Sequence, residues 1–369
     1  MLSFFRNNLD LSCALVLAVI SSFFVQISWQ NTLNALNLPV LILLFCLMVV
    51  VAGFRRVGLL DRLYKKCFNF VDNTRALARL FIFLNFFISM LVTNDVSLII
   101  FVPLAIKALI SINRDDLLIP VVSLQTIAAN MGSMLTPIGN PQNLFIFTYF
   151  NFDIWHFFKV TAPVYIVCGV LLFISTHFID KGRLHISKAS IPPMPVFKTS
   201  VLGVLFCIAI ACVLGFVNVY FLLAVVVVAV TLIEKRLFIY ADYKLLLLFV
   251  LLFIFVNNIS STDMIKEAAS DFAGHYEYFV SLCLSQIISN VPATVLLSGF
   301  SKNADALLLG VNVGGLGTII ASMASLISFK AYVKVDGAMP LYYLKKFTKY
   351  NLHFLLVLVC LHFIFPKLY

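Results

Sequence analysis

A single acidic residue stands within apolar sequence, in the segment Thr93-Asn94-Asp95. Of the sixteen Asp and Glu residues, Asp95 is the one that we expect at membrane depth, and we expect no Lys or Arg there to pair with it. A carboxylate at the bilayer centre costs at least about 2.5–3.5 kcal/mol and is typical of a proton carrier or a cation ligand. Asp95 could instead cap the helix that follows it, and both roles stay open.

A second polar segment, Ser289-Asn290 followed by Val291, interrupts apolar sequence in the same way. The flanking apolar runs have about 13 to 16 residues around 93–95 and about ten around 289–291, whereas a crossing helix needs about 20. We therefore predict two re-entrant hairpins with tips at 93–95 and 289–291. Such backbone is tolerated at membrane depth only where it lines a cavity within the protein.

An internal repeat aligns residues 130–147, NMGSMLTPIGNPQNLFIF, without gaps on residues 312–329, NVGGLGTIIASMASLISF. Polar and glycine positions match in the pairs Asn130 and Asn312, Gly132 and Gly314, Thr136 and Thr318, Asn140 and Ser322, and Asn143 and Ser325. Proline and glycine in these segments disfavour continuous helix. The repeat therefore predicts two interrupted helices, at 117–150 and 305–329.

Interrupted helices expose backbone groups at mid-membrane, where carbonyls and helix C-termini can coordinate Na⁺ and N-termini attract anions. We predict cation binding and coupling at both tips and breaks, by Thr93, Asn94, Asp95, Gly139, Asn140, Ser289, Asn290, Ala321 and Ser322. We predict substrate binding at neighbouring polar positions, by Asn130, Thr136, Asn143, Thr294, Asn312, Thr318 and Ser325. The alternative is that these polar groups only hold helices together.

The elements that position these residues are membrane helices. Hydrophobic residues make up 62% of the 369-residue chain and charged residues 11%, against about 25% charged residues in soluble domains. The sequence predicts an all-α polytopic membrane protein with nine full crossings and the two hairpins. The net charge of +10 does not indicate nucleic-acid binding, because Lys and Arg lie scattered in connecting segments.

Basic residues also predict the orientation. With this topology, 22 of the 26 Lys and Arg lie on one side of the membrane, which the positive-inside rule assigns to the cytoplasm. We expect a plasma membrane protein, in a bacterium the inner membrane, with a cytoplasmic N-terminus, an external C-terminus and an external loop 258–277. A cytoplasmic linker, 179–200, separates 1–178 from 201–369, which we predict to be inverted repeats as in secondary transporters.

Several classes of protein find no support in the sequence. There is no phosphate-binding Walker motif, no H-E-x-x-H and no G-x-S-x-G, so we expect neither an ATP-driven pump nor an enzyme. The eight cysteines form no C-x-x-C pair and the six histidines show no metal-ligand spacing. We therefore predict no catalytic residues, no metal centre and no cofactor, with Na⁺ as an optional coupling ion.

Four stretches resemble the citrate-transporter-like families of the ion transporter superfamily, in matching order along nearly the whole chain. They are LVTNDVSLIIFVPL, NMGSMLTPIGNPQN, ISNVPATVLL and LLLGVNVGGLGTIIASMASLI. The group includes divalent-anion/sodium symporters, arsenite permeases and a type of sodium/proton antiporter, and the likeness is greatest to YbiR-type anion transporters. In the dicarboxylate symporters both tips carry Ser-Asn-Thr, which binds sodium and the substrate carboxylates.

The tips of this chain depart from that pattern. Both asparagines are retained, but Asp95 and Val291 replace the final threonines, and Asp95 would repel a dianion. The Asn-Asp tip is similar to that of arsenite permeases and sodium/proton antiporters. The resemblance implies a secondary active transporter for a small anion or an arsenite-like oxyanion, coupled to H⁺ or Na⁺. The alternative is a sodium/proton antiporter that uses Asp95, and family members often move as homodimers through elevator-like shifts.

Overall fold

The structure is a computed structural model that describes residues 9–23, 36–69, 71–183, 193–260 and 263–364. These ranges are almost entirely helical, which confirms the predicted all-α polytopic class. The helices are α1 Leu9–Ser22, α2 Leu38–Arg56, α3 Leu59–Phe68, α4 Thr74–Val92, α5 Asn94–Ser111, α6 Leu118–Ser133, α7 Pro141–Tyr149, α8 Ile154–His177, α9 Val196–Val213, α10 Val219–Glu234, α11 Tyr243–Ser260, α12 Asp263–Ile288, α13 Asn290–Ser298, α14 Ala304–Val313, α15 Met323–Tyr332 and α16 Pro340–Ile364.

Six of the described helices are long and apolar enough to cross a membrane, namely α2, α4, α5, α8, α9 and α16. Helices α10 and α11 meet the same test as a pair that is bent by 72°. The remaining predicted crossings correspond to the shorter helix α1 and to the two interrupted helices, which are present as α6 with α7 and α14 with α15. Helix α9 begins at Val196, inside the segment predicted as a linker.

The arms of the first hairpin are longer than their apolar runs. Helices α4 and α5 have 19 and 18 residues, so each could cross a membrane by length alone, which the sequence analysis did not expect. The difference arises because α4 begins at Thr74 with polar turns, in which Arg75 and Arg79 donate to the carbonyl of Ile179 and the hydroxyl of Thr176. The hairpin therefore depends on the interruption at Thr93, not on short arms.

The second hairpin has unequal arms. Helix α12 has 26 residues, with a non-helical backbone at Tyr276 (φ −133°, ψ 32°), and α13 has nine. The segment 258–277, predicted as an external loop, is therefore helical from Asp263. The Tyr276 kink separates a polar stretch with Asp263, Glu267 and Asp271 from the apolar stretch that leads to the tip.

The two halves interlock around their interrupted helices. Within each half, the first hairpin arm packs on the broken helix, α4 on α6 and α12 on α14. Between the halves, α15 packs on α5 and α13 packs on α7. Helices α2, α9 and α10 pack on one another beside this bundle, and α11 contacts both α1 and α13. The inverted orientation of the halves stays a prediction. The structure does show that each half packs one helix on the other half, α15 on α5 and α13 on α7.

Candidate functional site

The two hairpin tips, residues 93–95 and 289–291, are built in the same way. Thr93 (φ 76°, ψ 150°) and Ser289 (φ 74°, ψ 154°) adopt nearly identical backbone conformations between the arms. The next N–H in each tip donates to the opposite break: Asn94 to the carbonyl of Gly139 at 3.1 Å, and Asn290 to the carbonyl of Ala321 at 3.0 Å. Here the first break is residues 134–140 and the second break is residues 314–322. The structure thus brings each tip against a break, in the same way in both halves.

Asn130, on α6, joins the first tip to the second break. Its Oδ1 accepts hydrogen bonds from Nδ2 of Asn94 at 3.2 Å and from the hydroxyl of Ser322 at 3.0 Å. Its Nδ2 donates to the carbonyl of Gly315 at 3.3 Å. Ser322 is also the N-cap of α15. By bonding to Ser322, Asn130 therefore helps to fix the residue at which the second interrupted helix resumes.

Asn312, on α14, plays the matching part for the first break. Its Oδ1 accepts from Nδ2 of Asn140 at 3.2 Å, and its Nδ2 donates to Oδ1 of Asn143 at 2.7 Å. The Nδ2 of Asn143 donates in turn to the carbonyl of Ser133, at the end of α6, and to those of Met134 and Thr136, in the first break. Asn130, Asn143 and Asn312, predicted to bind substrate, are thus hydrogen-bonded at both ends of their amides. They hold the two breaks together, which is the role that the alternative gave them.

Two buried acceptors at the first tip stand out against this satisfied network. Neither Oδ1 of Asn94 nor Oδ1 of Asp95 has a hydrogen-bond partner among the described residues, and Asn94 is only 5% exposed. A buried acceptor without a donor costs about 1–3 kcal/mol, and a charged one costs more. Because buried polar groups are normally paired, these two oxygens are candidate ligand atoms: the carboxylate of Asp95 can accept a proton, and either oxygen can coordinate a cation.

A cavity of about 840 Å³ adjoins the first tip. Thr93, Asp95 and Asn140 line it, together with apolar side chains of α2. Its wall also carries charged and phenolic residues from the end of α2 and from the bend between α10 and α11, namely Arg55, Arg56, Tyr240, Asp242, Tyr243 and Lys244. These segments belong to the basic side that the sequence assigns to the cytoplasm, so the cavity connects the first tip with that side.

Four charged residues of this wall were missed as candidates by the sequence reasoning: Arg55, Arg56, Asp242 and Lys244. They stand in segments that read as solvated loops, and only the packing of α2 on the bend brings them opposite Asp95. Asp242 also caps α11, because its Oδ1 accepts from the N–H groups of Lys244 and Leu245, both at 3.1 Å. Asp242 stands between the apolar runs of α10 and α11. A charged residue in such a position was the one signal in the sequence that could have identified it.

The other predicted residues lie outside this cavity. Thr136 and Thr318 donate to the carbonyls of Met90 and Gln286, at 2.5 Å and 3.3 Å, and Thr294 donates to the carbonyl of Asn290. Ser289, Asn290, Ala321 and Ser322 are buried at the second tip and break, as is Ser325. In the part of the chain that the structure describes, no group of three His, Cys, Asp or Glu could hold a metal ion.

Comparison with known proteins places this architecture in a family. The sequence profile of the citrate transporter family (CitMHS) matches residues 9–306. The chain belongs to this family. It is similar to the uncharacterized transporter MJ0456 of Methanocaldococcus jannaschii, with 34% identity over 292 residues, 78% of this chain and 79% of the relative. It is also similar to the inner membrane protein YbiR of Escherichia coli, with 31% identity over 317 residues, 84% of each chain. The protein is therefore a multi-pass membrane transporter.

Proposed function

We propose that the protein is a secondary active transporter that moves a small anion or an arsenite-like oxyanion, coupled to H⁺ or Na⁺ at the first tip. The observation that carries this proposal is Asp95, which lines the cavity and whose buried Oδ1 has no hydrogen-bond partner among the described residues; Oδ1 of the preceding residue, Asn94, is buried without such a partner as well. A proton on the carboxylate of Asp95, or a cation bound to it, would satisfy the oxygen that faces this cavity.

Electrostatics gives a reason for the coupling. An ionised Asp95 repels an anion in the cavity, and a neutralised Asp95 does not. The N-termini of α5 and α7 meet at this point, and helix N-termini favour negative charge. Cation or proton binding therefore makes the site favourable for the anion, and loss of the cation makes it unfavourable. Arg55 and Lys244 on the opposite wall add positive charge along the route.

A sodium/proton antiporter is the second candidate, and the same unpartnered carboxylate oxygen favours it. In that mechanism Asp95 would bind Na⁺ and H⁺ alternately, and no anion would be required. The wall of the cavity carries Arg55 and Lys244 besides Arg56, which pairs with Glu234, against one acidic residue, Asp242. This excess of positive charge favours the anion transporter, because a route for cations alone gains nothing from it. Transport assays distinguish the two, since an antiporter moves Na⁺ against a pH gradient with no other solute present.

The test is concentrative uptake into proteoliposomes, with arsenite, inorganic oxyanions and small carboxylates as solutes, under imposed proton or sodium gradients. Asp95→Asn keeps the shape of the side chain and removes its titration. We expect this variant to retain solute exchange without a gradient and to lose gradient-driven accumulation. Asp116→Asn is the matched control, because Asp116 is an exposed acid that pairs with Arg114 far from the cavity.

Full accumulation by Asp95→Asn under both gradients would contradict the proposal. Loss of accumulation in Asp116→Asn as well would show that the assay reports a general loss of folding. Sodium efflux driven by pH alone, with no dependence on any solute of the panel, would establish the antiporter instead.

We further propose a location in the plasma membrane, the inner membrane if the source is bacterial, with the N-terminus in the cytoplasm and the C-terminus outside. The distribution of Lys and Arg supports this orientation. Labelling of terminal tags in intact and permeabilised cells tests it. We also propose a homodimer, because related transporters move as dimers, and the mass of the purified protein by light scattering tests that.

A further inference from the structure

A side chain on the second hairpin arm bonds to the second break, and its counterpart on the first hairpin arm has no polar group with which to do so. Gln286 stands four residues before Asn290, exactly where Met90 stands before Asn94. The Nε2 of Gln286 donates to the carbonyls of Gly314 and Leu316, both at 2.7 Å. Its Oε1 accepts from the N–H of Thr318 at 3.0 Å. Both protons and one lone pair of this carboxamide are therefore used by the second break.

These contacts satisfy the backbone groups that an interruption of the helix exposes. Carbonyls released by a broken helix are the ligands through which transporters coordinate Na⁺. Here an N–H donor points at two of them, so a cation would have to displace it. The site is built for the amide: Gly317 has φ 114°, and a Cβ at that position would collide with Oε1 of Gln286.

The first break is held by a different side chain: the carbonyls of Met134 and Thr136 accept from Nδ2 of Asn143, on α7, and not from a residue of the hairpin arm. Met90 has no donor, and its backbone carbonyl accepts from Thr136 just as that of Gln286 accepts from Thr318. The unpartnered oxygens of Asn94 and Asp95 lie at the first tip. At the second tip, Val291 replaces the carboxylate. Oδ1 of Asn290 receives a hydrogen bond from the hydroxyl of Ser289, at 3.4 Å.

We propose that the carboxamide of Gln286 takes the place of a cation at the second break and limits coupling to one ion per transport cycle, bound at the first tip. Gln286 thereby determines the stoichiometry without touching the substrate. This inference rests on the proposed function for the role of the first tip, but the closure of the second break is a separate claim with its own readout.

The test is the thermal stability of the purified full-length protein in NaCl against KCl at equal ionic strength and fixed pH. The background is Asp95→Asn, which removes the first site. We expect no sodium-specific shift in this background while Gln286 is present. Gln286→Met copies Met90 and frees the carbonyls of Gly314 and Leu316, and Gln286→Glu replaces the donor by a carboxylate that needs a cation.

Either variant should create a sodium-specific rise in Tm in the Asp95→Asn background, about 3 °C at a tenfold excess over Kd, and larger for Gln286→Glu. Asn290→Ala should remove the new shift. A sodium-specific shift with Gln286 intact that Asn290→Ala abolishes would overturn the proposal, as would the absence of any shift in both Gln286 variants. Failure of the proposed function would appear elsewhere, as coupled uptake that survives Asp95→Asn.

Discussion

Gly132 offers a stringent test of how the first tip is positioned. It lies in α6 where α4 crosses, and an added Cβ would collide with the carbonyl oxygen of Phe86. The same Cβ would stand 2.6 Å from Oγ of Ser89 and 2.8 Å from the carbonyl carbon of Phe86. Two of these three atoms belong to the backbone of α4 and cannot rotate away. Gly132→Ala therefore forces α4 and α6 apart, close to the Asn130 that holds Asn94.

The magnitude follows from the general cost of overpacking. Inserting a methyl group into a well-packed core costs about 1–3 kcal/mol, and a backbone clash belongs at the upper end of that range. The helix propensity of alanine offsets about 0.5–1 kcal/mol of this cost. At about 2 °C per kcal/mol for a large domain, we expect Tm to fall by roughly 2–5 °C. Since α4 ends at Val92, directly before the tip residue Thr93, we also expect slower uptake at unchanged expression.

Gly203→Ala is the matched control. Gly203 lies within α9, and its added Cβ would have no described atom within 4 Å. The substitution should therefore raise stability by about 0.4–1 kcal/mol. Both variants are compared by thermal unfolding in one detergent and by uptake into proteoliposomes. Equal stability of Gly132→Ala and wild type, or a greater loss in Gly203→Ala, would refute the close approach of α4 and α6.

Two further outcomes follow from the contacts. In a double-mutant cycle of Asn140→Ala and Asn312→Ala, measured by thermal unfolding, the 3.2 Å hydrogen bond between the halves should give a coupling of about 0.5–3 kcal/mol; additive effects would show that the bond does not contribute. The hydrogen bond from Arg114 lowers the pKa of Asp116 in the folded protein. This ion pair therefore stabilises the protein fully at pH values above the ordinary aspartate pKa. The stabilisation is lost as the pH falls through the lowered pKa of Asp116. The expected contribution is under about 1 kcal/mol because the pair is exposed, and the difference in Tm between wild type and Asp116→Asn should shrink on acidification.

The position of the breaks was predictable from the sequence because it depends on local chemistry. Proline and glycine end α6 and α14, and a residue that can cap a helix, Asn140 or Ser322, begins the next segment. The alignment of Asn130 with Asn312 indicated two equivalent positions, and in the structure each of these asparagines hydrogen-bonds to the other half of the chain. The partners of these asparagines were not predictable, because each bonds to the half of the chain that lies 172 or 192 residues away.

The chemical difference between the two sites was harder to predict. Gln286 lies in an apolar stretch of α12, where one glutamine is typical of an amphipathic helix, and only the fold reveals that its amide reaches Gly314 and Leu316. The same holds for Arg55 and Asp242, which line the cavity because α2 packs beside the bend. Periodicity and composition report the burial of an element, and the partners of a side chain depend on the tertiary packing.

The two tips share the same costly backbone conformation but differ in how the polar groups beside them are satisfied. Thr93 and Ser289 both hold a backbone conformation that is nearly restricted to glycine and costs about 1–3 kcal/mol. At the second tip this cost accompanies a break whose carbonyls are bonded to Gln286. At the first tip it adds to two acceptors that no described residue satisfies. The proposed cation or proton at Asp95 would satisfy an acceptor for which the described residues provide no partner.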